Sequence, residues 1–167
     1  MRAEERAAAF DEFASSTTPR LRRAALYIAL DRHHADDLVQ HALEKTFLHW
    51  QRACDAPYAY ARRVMVNAST DWWRGVSRRE RLGATPERAS DRDVQNDYAQ
   101  RDLVLTALAQ LTARERAVMV LRFYEDMTEA QIAEALKIAP GTVKSTAHRA
   151  LAKLRSSALS ELAVEEN

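Results

Sequence analysis

Apolar residues along the chain recur at intervals of three and four and nowhere in sustained alternation, a pattern that predicts helices and no strands. Phe10, Phe13, Leu21, Ala25, Ile28 and Ala29 keep this spacing through the first segment. A second helix is expected to begin near Asp36 and Asp37, two carboxylates suited to the positive end of a helix dipole. Leu38, Ala42, Leu43, Phe47 and Trp50 give it an apolar stripe. Residues 51–57 break the pattern, and Pro57 suits a first helical turn. A third helix over roughly 58–81 carries Ala61, Val64, Ala68 and Trp72 on one side. Trp72 is therefore expected in the core, whereas Trp73 fits either core or surface.

Residues 83–100 are polar and punctuated by Gly83 and Pro86, which predicts a flexible linker. Helical spacing resumes at Leu103 and runs to Leu111. Thr112 and Glu115 have the spacing of a capping box, in which a hydroxyl and a carboxylate each satisfy an orphan backbone donor. They open a helix to about Tyr124. Thr128 and Gln131 repeat the device and open a short helix to Leu136. Lys137, Ile138 and Ala139 form a tight turn, Pro140 takes a first helical position, and the last helix runs to about Leu159. The expected fold is all-α: two small helical domains, 1–82 and 101–167, joined by the linker 83–100.

Composition agrees with long helices, since 167 residues contain only 3 Gly and 4 Pro. The net charge of +1 conceals an uneven distribution. Residues 1–82 carry 14 Lys and Arg against 11 Asp and Glu, and residues 101–155 carry 9 against 6. The linker is net acidic, and residues 156–167 hold three acids and no base. Two basic blocks suit a polyanionic partner, although solvated helix faces give similar counts. The single cysteine, Cys54, excludes an internal disulfide and fits a reducing compartment. No apolar stretch approaches the roughly 18 residues of a membrane span. A soluble, cytoplasmic chain without membrane insertion is expected. His34, His41 and His49 are spaced too widely to share a metal without further ligands, and no zinc motif or Gly-rich phosphate loop occurs. Neither a metal nor a cofactor is expected, and helix capping explains Asp36 and Asp37 better than acid–base catalysis.

The chemistry lies in the last two helices. A short and a long helix joined by a tight turn suggest a helix-turn-helix. Ile132, Ala133, Val143, Ala147, Ala150 and Leu154 form an inward set at helical steps, with alanines permitting a close crossing. The opposite face presents Lys144, Ser145, His148, Arg149 and Ala152, short or basic side chains able to meet phosphates or base edges. Lys137 stands where such turns usually place Gly to reach positive φ.

Several runs resemble a known family. Leu111-Thr-Ala-Arg-Glu-Arg-Ala-Val-Met-Val-Leu-Arg-Phe-Tyr-Glu-Asp-Met-Thr resembles sigma region 4.1, and the run from Gln131 through Gly141-Thr-Val-Lys-Ser-Thr-Ala-His-Arg-Ala to Arg155 resembles region 4.2. Response-regulator output domains share a looser version of the second run. Asp36-Asp-Leu-Val-Gln-His-Ala-Leu-Glu-Lys-Thr-Phe-Leu-His-Trp50 resembles region 2.2, and Ala61-Arg-Arg-Val-Met-Val-Asn-Ala-Ser-Thr-Asp-Trp-Trp-Arg74 with Ser77-Arg-Arg79 resembles regions 2.3 and 2.4. Together they resemble the SigE-type branch of the extracytoplasmic-function (ECF) sigma factors, over nearly the whole chain. The resemblance implies a promoter-recognition subunit, not an enzyme, with core RNA polymerase (the clamp of its largest subunit, and the flap), promoter DNA and an anti-sigma factor as partners. It implies polymerase docking through Asp37, Gln40 and Glu44, with His41 where many members carry Glu. It implies −10 recognition by Arg62, Arg63, Asn67, Asp71, Trp73, Arg74 and Arg78, beside the loop 51–58. It implies −35 recognition by Thr142, Lys144, Ser145, His148 and Arg149. Thr146 stands where many members carry Arg, which implies one fewer phosphate contact or a changed promoter preference. The rival is a stand-alone helix-turn-helix regulator that binds duplex DNA without polymerase. It leaves the Asp-Asp-Leu-Val-Gln helix and the aromatic-basic third helix without a purpose.

Overall fold

A computed structural model describes the backbone of residues 2–81 and 99–165, and the side chains of residues 2–75 and 103–158. Every described element is helical. The chain divides into two compact units, residues 1–87 and 88–167. The expected linker, apart from residues 99 and 100, lies outside the described residues.

The first unit holds α1 (Ala3–Ala29), α2 (Arg32–Leu48), the single turn α3 (Trp50–Ala53) and α4 (Pro57–Arg81). The helix α1 continues through Pro19. Pro19 has no N–H to give the preceding turn, and the neighbouring Thr18 hydroxyl donates to Ala14 O at 2.7 Å. Leu30 then stops α1 in the left-handed region at φ 55°, its N–H donating to Leu26 O. The α2 start differs from expectation. Asp31, not Asp36 or Asp37, is the N-cap, its carboxylate accepting from the His34 N–H at 2.6 Å. An N-cap must have extended backbone and reach the N–H three residues on, and Asp31 does both. Asp36 instead pairs with Arg22 of α1 at 2.7 Å.

Helices α1, α2 and α4 pack on one another. Leu21, Ile28, Leu38, Met65 and Val66 fill the centre, and Ala24, Ala25, Ala35, Ala42 and Ala61 let the axes approach closely. Thr46, Ser69 and Thr70 are buried among them, and each hydroxyl donates to a carbonyl three or four residues back. This satisfies the hydroxyls without partners from outside the helix.

The second unit holds α5 (Ala99–Ala109), α6 (Ala113–Met119), a π-helical turn (Val120–Tyr124), α7 (Glu129–Leu136) and α8 (Pro140–Glu165). The capping box at Thr112 forms as its spacing predicts. The Glu115 N–H donates to Thr112 Oγ1 at 3.3 Å, and the Thr112 N–H donates to Glu115 Oε2 at 2.9 Å. The expected single helix to Tyr124 instead changes to π geometry at Val120, and the Glu125 N–H reaches back five residues to Val120 O. The last helix runs past Leu159 to Glu165. Buried Arg116 donates to Leu111 O at 3.3 Å, and burial pushes its guanidinium down to about 10, still protonated at neutral pH.

Glu115 joins α6 to α8. Its buried carboxylate also accepts from Lys153 Nζ at 2.8 Å. Desolvation pushes this carboxyl upward. The Lys153 and Thr112 hydrogen bonds with the Lys153 charge outweigh it, and the carboxyl rests below its ordinary 4.5. A carboxyl depressed by folding contributes stability that is complete above its unfolded value and is lost as the pH falls through the folded one. Glu115→Gln is therefore expected to cost about 1–2 kcal/mol near neutral pH, the scale of a charge-assisted hydrogen bond. It should also flatten the acid limb of stability below about pH 4.5. Thermal unfolding of both proteins across pH checks this, and parallel acid limbs would refute it.

Candidate nucleic-acid interface

In the second unit, α7 and α8 form the expected helix-turn-helix. Thr128 Oγ1 accepts from the Gln131 N–H at 3.2 Å, and Gln131 Oε1 accepts from the Thr128 N–H at 2.9 Å. Lys137 ends α7 at φ 54°, in the left-handed conformation for which Gly is usually chosen. The Ile138 N–H closes the turn on Ala133 O at 3.0 Å, and α8 starts at Pro140. Ile132 and Val143 are each 0% exposed, and Ala133, Ala147 and Ala150 are buried with them. The inner face is thus sealed, which fixes what the outer face can present.

That outer face carries Lys144, Ser145, His148 and Arg149, all exposed, with Thr142 half-buried at its edge. Ser145 Oγ donates to Thr142 O at 3.2 Å. Arg149 Nη2 donates to Thr146 Oγ1 at 3.3 Å. Thr146 is only 1% exposed, so this position belongs to the packed face. Its hydroxyl accepts this bond from the exposed Arg149 guanidinium beside it. An ion pair of 2.8 Å between Arg122 and Glu129 ties the π-helical turn to the first turn of α7.

On α4 the expected residues divide into two strips. Arg63, Asn67, Asp71 and Arg74 recur at four, four and three residues and share the outer side of the helix. Arg62 and Trp73 lie toward the packed side and are half-buried. Arg78 falls on α4, but its side chain lies outside the described residues. Aromatic rings interleave with these cations: the Arg62 guanidinium carbon is 5.8 Å from the Tyr58 ring centre, and that of Arg63 is 5.2 Å from Tyr60. Trp72 is not the core residue its stripe predicts. It is 41% exposed, and His34 stacks on it with ring centres 4.1 Å apart. Burial lowers the His34 imidazole below its ordinary value, against the opposing pull of the Asp31 and Asp37 charges.

On α2, Asp37, Gln40, His41 and Glu44 are all exposed and recur at helical steps. Gln40 and Glu44 also rim an open groove between α1 and α2 of roughly 460 Å³, floored by Phe10, Val39, Leu43 and Phe47. The spacing of polar residues marked the rim but not the groove, which needs two helices to exist. Phe10 packs edge to face on Phe47 and Trp50, and Phe13 lies tilted against Phe10 and Trp50, with ring centres 5.0–6.0 Å apart. Among the described residues no group of three His, Cys, Asp or Glu converges as metal ligands would, and no helix is long and apolar enough to cross a membrane.

Comparison with known proteins bears on both units. Residues 13–79 match the family model of Sigma-70 region 2, and residues 101–154 match that of Sigma-70, region 4. The chain is 40% identical over 149 residues to the RNA polymerase sigma-E factor of Streptomyces coelicolor, covering 87% of this chain and 84% of that one. It is 36% identical over 165 residues to the ECF RNA polymerase sigma factor SigL of Mycobacterium tuberculosis, covering 94% and 90%. Among solved structures, the sigma factor RpoE of Bartonella quintana, crystallised with the anti-sigma factor NepR, superposes with a TM-score of 0.65 at 23% identity. That likeness covers 88% of this chain and 94% of the other, and shows a shared fold.

Proposed function

Because the chain belongs to the ECF branch of the sigma-70 family, we propose that it binds core RNA polymerase and directs transcription from promoters it selects through −10 and −35 elements. Sigma factors are transcription regulators rather than enzymes. On this reading nucleotide chemistry stays with the polymerase, and the chain works in the cytoplasm. The observation that carries the reading is the sealed Ile132–Val143 crossing with Lys144, Ser145, His148 and Arg149 exposed on its far side. A helix with a buried inner face and a basic outer face suits the major groove.

Three surfaces divide the task. The α2 face of Asp37, Gln40 and Glu44 docks the largest subunit's clamp. The outer face of α8 meets duplex −35 DNA, where Arg149 and Lys144 hold phosphates or guanine edges and Ser145 and His148 complete the contact. Along α4, Arg63, Asn67, Asp71 and Arg74, with Arg62, Trp73 and Arg78, hold the unpaired non-template strand at −10. Cations hold the backbone there, and aromatic rings receive unpaired bases. The linker's acidic charge suits a basic polymerase channel. The relative crystallised with an anti-sigma factor supports a similar partner for this chain, able to cover these surfaces before polymerase does.

Run-off transcription with purified core polymerase on a promoter library tests the reading. Promoter-specific transcripts are expected only with the protein present, and Arg149→Ala and Arg74→Ala should each weaken them. Specific duplex binding by the protein alone, with no stimulation of core, would instead identify a stand-alone regulator.

A further inference from the structure

The loop that the resemblance sets beside the −10 strand has a histidine just before its entry and a tyrosine just past its exit. His49 stands between α2 and α3, and Tyr60 lies in the first turn of α4. Their rings are 6.3 Å apart and tilted by 33°. His49 is exposed and Tyr60 half-buried. One helical step on, the Arg63 guanidinium carbon lies 5.2 Å from the Tyr60 ring centre. Tyr60 falls on the same side of α4 as Arg63, Asn67, Asp71 and Arg74, because steps of three and four residues connect them all. The outer strip of α4 therefore begins in an aromatic ring with an imidazole beside it.

The imidazole is held in one orientation. His49 Nδ1 lies 2.9 Å from Lys45 O. A carbonyl only accepts, so Nδ1 carries the proton of the neutral ring and Nε2 keeps a lone pair. Lys45 O already accepts from the His49 backbone N–H at 3.1 Å. Closing the end of α2 thus does not require the ring bond, and what the bond adds is a fixed tautomer. Unpaired bases stack on exposed aromatic rings. On the edge that duplex DNA turns to its major groove, adenine and cytosine carry an exocyclic amino donor where guanine and thymine carry a carbonyl. We propose that His49 Nε2 accepts a hydrogen bond from the exocyclic amino group of an unpaired adenine or cytosine stacked on Tyr60, and so selects the base at one −10 position. This rests on the promoter reading proposed above. It adds two residues that the resemblance does not assign, one of them outside α4.

The test is a double-mutant cycle with the full chain and core polymerase on a fork-junction promoter taken from the run-off library, its non-template −10 segment single-stranded. Each adenine or cytosine of that segment is replaced in turn by purine or 2-pyrimidinone, which lack only the exocyclic amino group. Wild type is expected to lose roughly 2- to 10-fold in affinity at the position read by His49, the worth of one hydrogen bond. His49→Phe keeps an aromatic ring without the acceptor. It is expected to show a similar loss on the unmodified promoter, and no further loss when the amino group at that position is also removed. Its affinity for core is expected to stay that of wild type. Losses that simply add at every position would overturn the proposal, because no bond would then join the two groups. An unchanged promoter affinity in His49→Phe would overturn it too, as would a parallel loss of affinity for core, which would assign His49 to polymerase. If the wild-type protein formed no promoter complex with core, the sigma reading itself would fall and the proposal with it. The wild-type measurement alone tells that case from the others.

Discussion

Arg149→Ala is expected to cut promoter-specific transcription by roughly 5- to 150-fold while leaving affinity for core polymerase unchanged. This range corresponds to about 1–3 kcal/mol, the worth of one well-placed side chain on a base edge. Arg149 is exposed on α8, and its hydrogen bond to Thr146 Oγ1 restrains the guanidinium on the outer face. A restrained fork loses less rotamer freedom on binding than a free one. The pattern across a promoter library tells which partner Arg149 takes. Relaxed preference at a single −35 position means a guanine edge. A uniform loss with a salt slope smaller by about 0.9 means a duplex phosphate. Full activity in the variant would remove Arg149 from the interface.

The second large effect is on stability. Ile132→Ala is expected to destabilise the protein by about 2–5 kcal/mol, since the side chain is wholly buried where α7 crosses α8. Ala133 and Ala147, buried in the same helix pair, are too small to fill the space. His148→Ala, on the exposed face of α8, should change stability by no more than about 0.5 kcal/mol. Urea unfolding of both variants beside wild type separates the two roles. Equal stabilities would mean that the crossing is not the close-packed contact described. Promoter activity lost in His148→Ala at undiminished stability would mark a DNA contact rather than a fold defect.

What the chain discloses by pattern alone is mostly what depends on near neighbours. Thr112 with Glu115 and Thr128 with Gln131 declare two helix starts, because each cap is satisfied within three residues, and Pro140 declares a third, because a first helical turn does not need its missing N–H. The inward face Val143, Ala147 and Ala150 of α8 is legible for the same reason, since one helical period orders it. Features that need a second element were misread or unseen. Trp72 lies on an apolar stripe, but burial depends on what stands opposite, and there it stacks on His34 and stays 41% exposed. Asp36 resembles a helix start in isolation, yet Arg22 of α1 claims its carboxylate and Asp31 takes the cap. The groove between α1 and α2, and the reach of Arg20 to Tyr58, join residues far apart in the chain and have no local signature. The π-helical turn at Val120 likewise follows no residue pattern that separates it from an ordinary helix.

The helix α7 is held at both ends, by the reciprocal hydrogen bonds at Thr128 and by the left-handed Lys137 with its turn closed onto Ala133. The angle between α7 and α8 is therefore settled during folding, and little ordering remains for the moment of encounter. A preformed pair of this kind meets a duplex as a rigid body. Association is then governed by diffusion and orientation rather than by a search through conformations. Its heat-capacity change should reflect only the surface removed from water, without the larger contribution of a segment that folds as it binds.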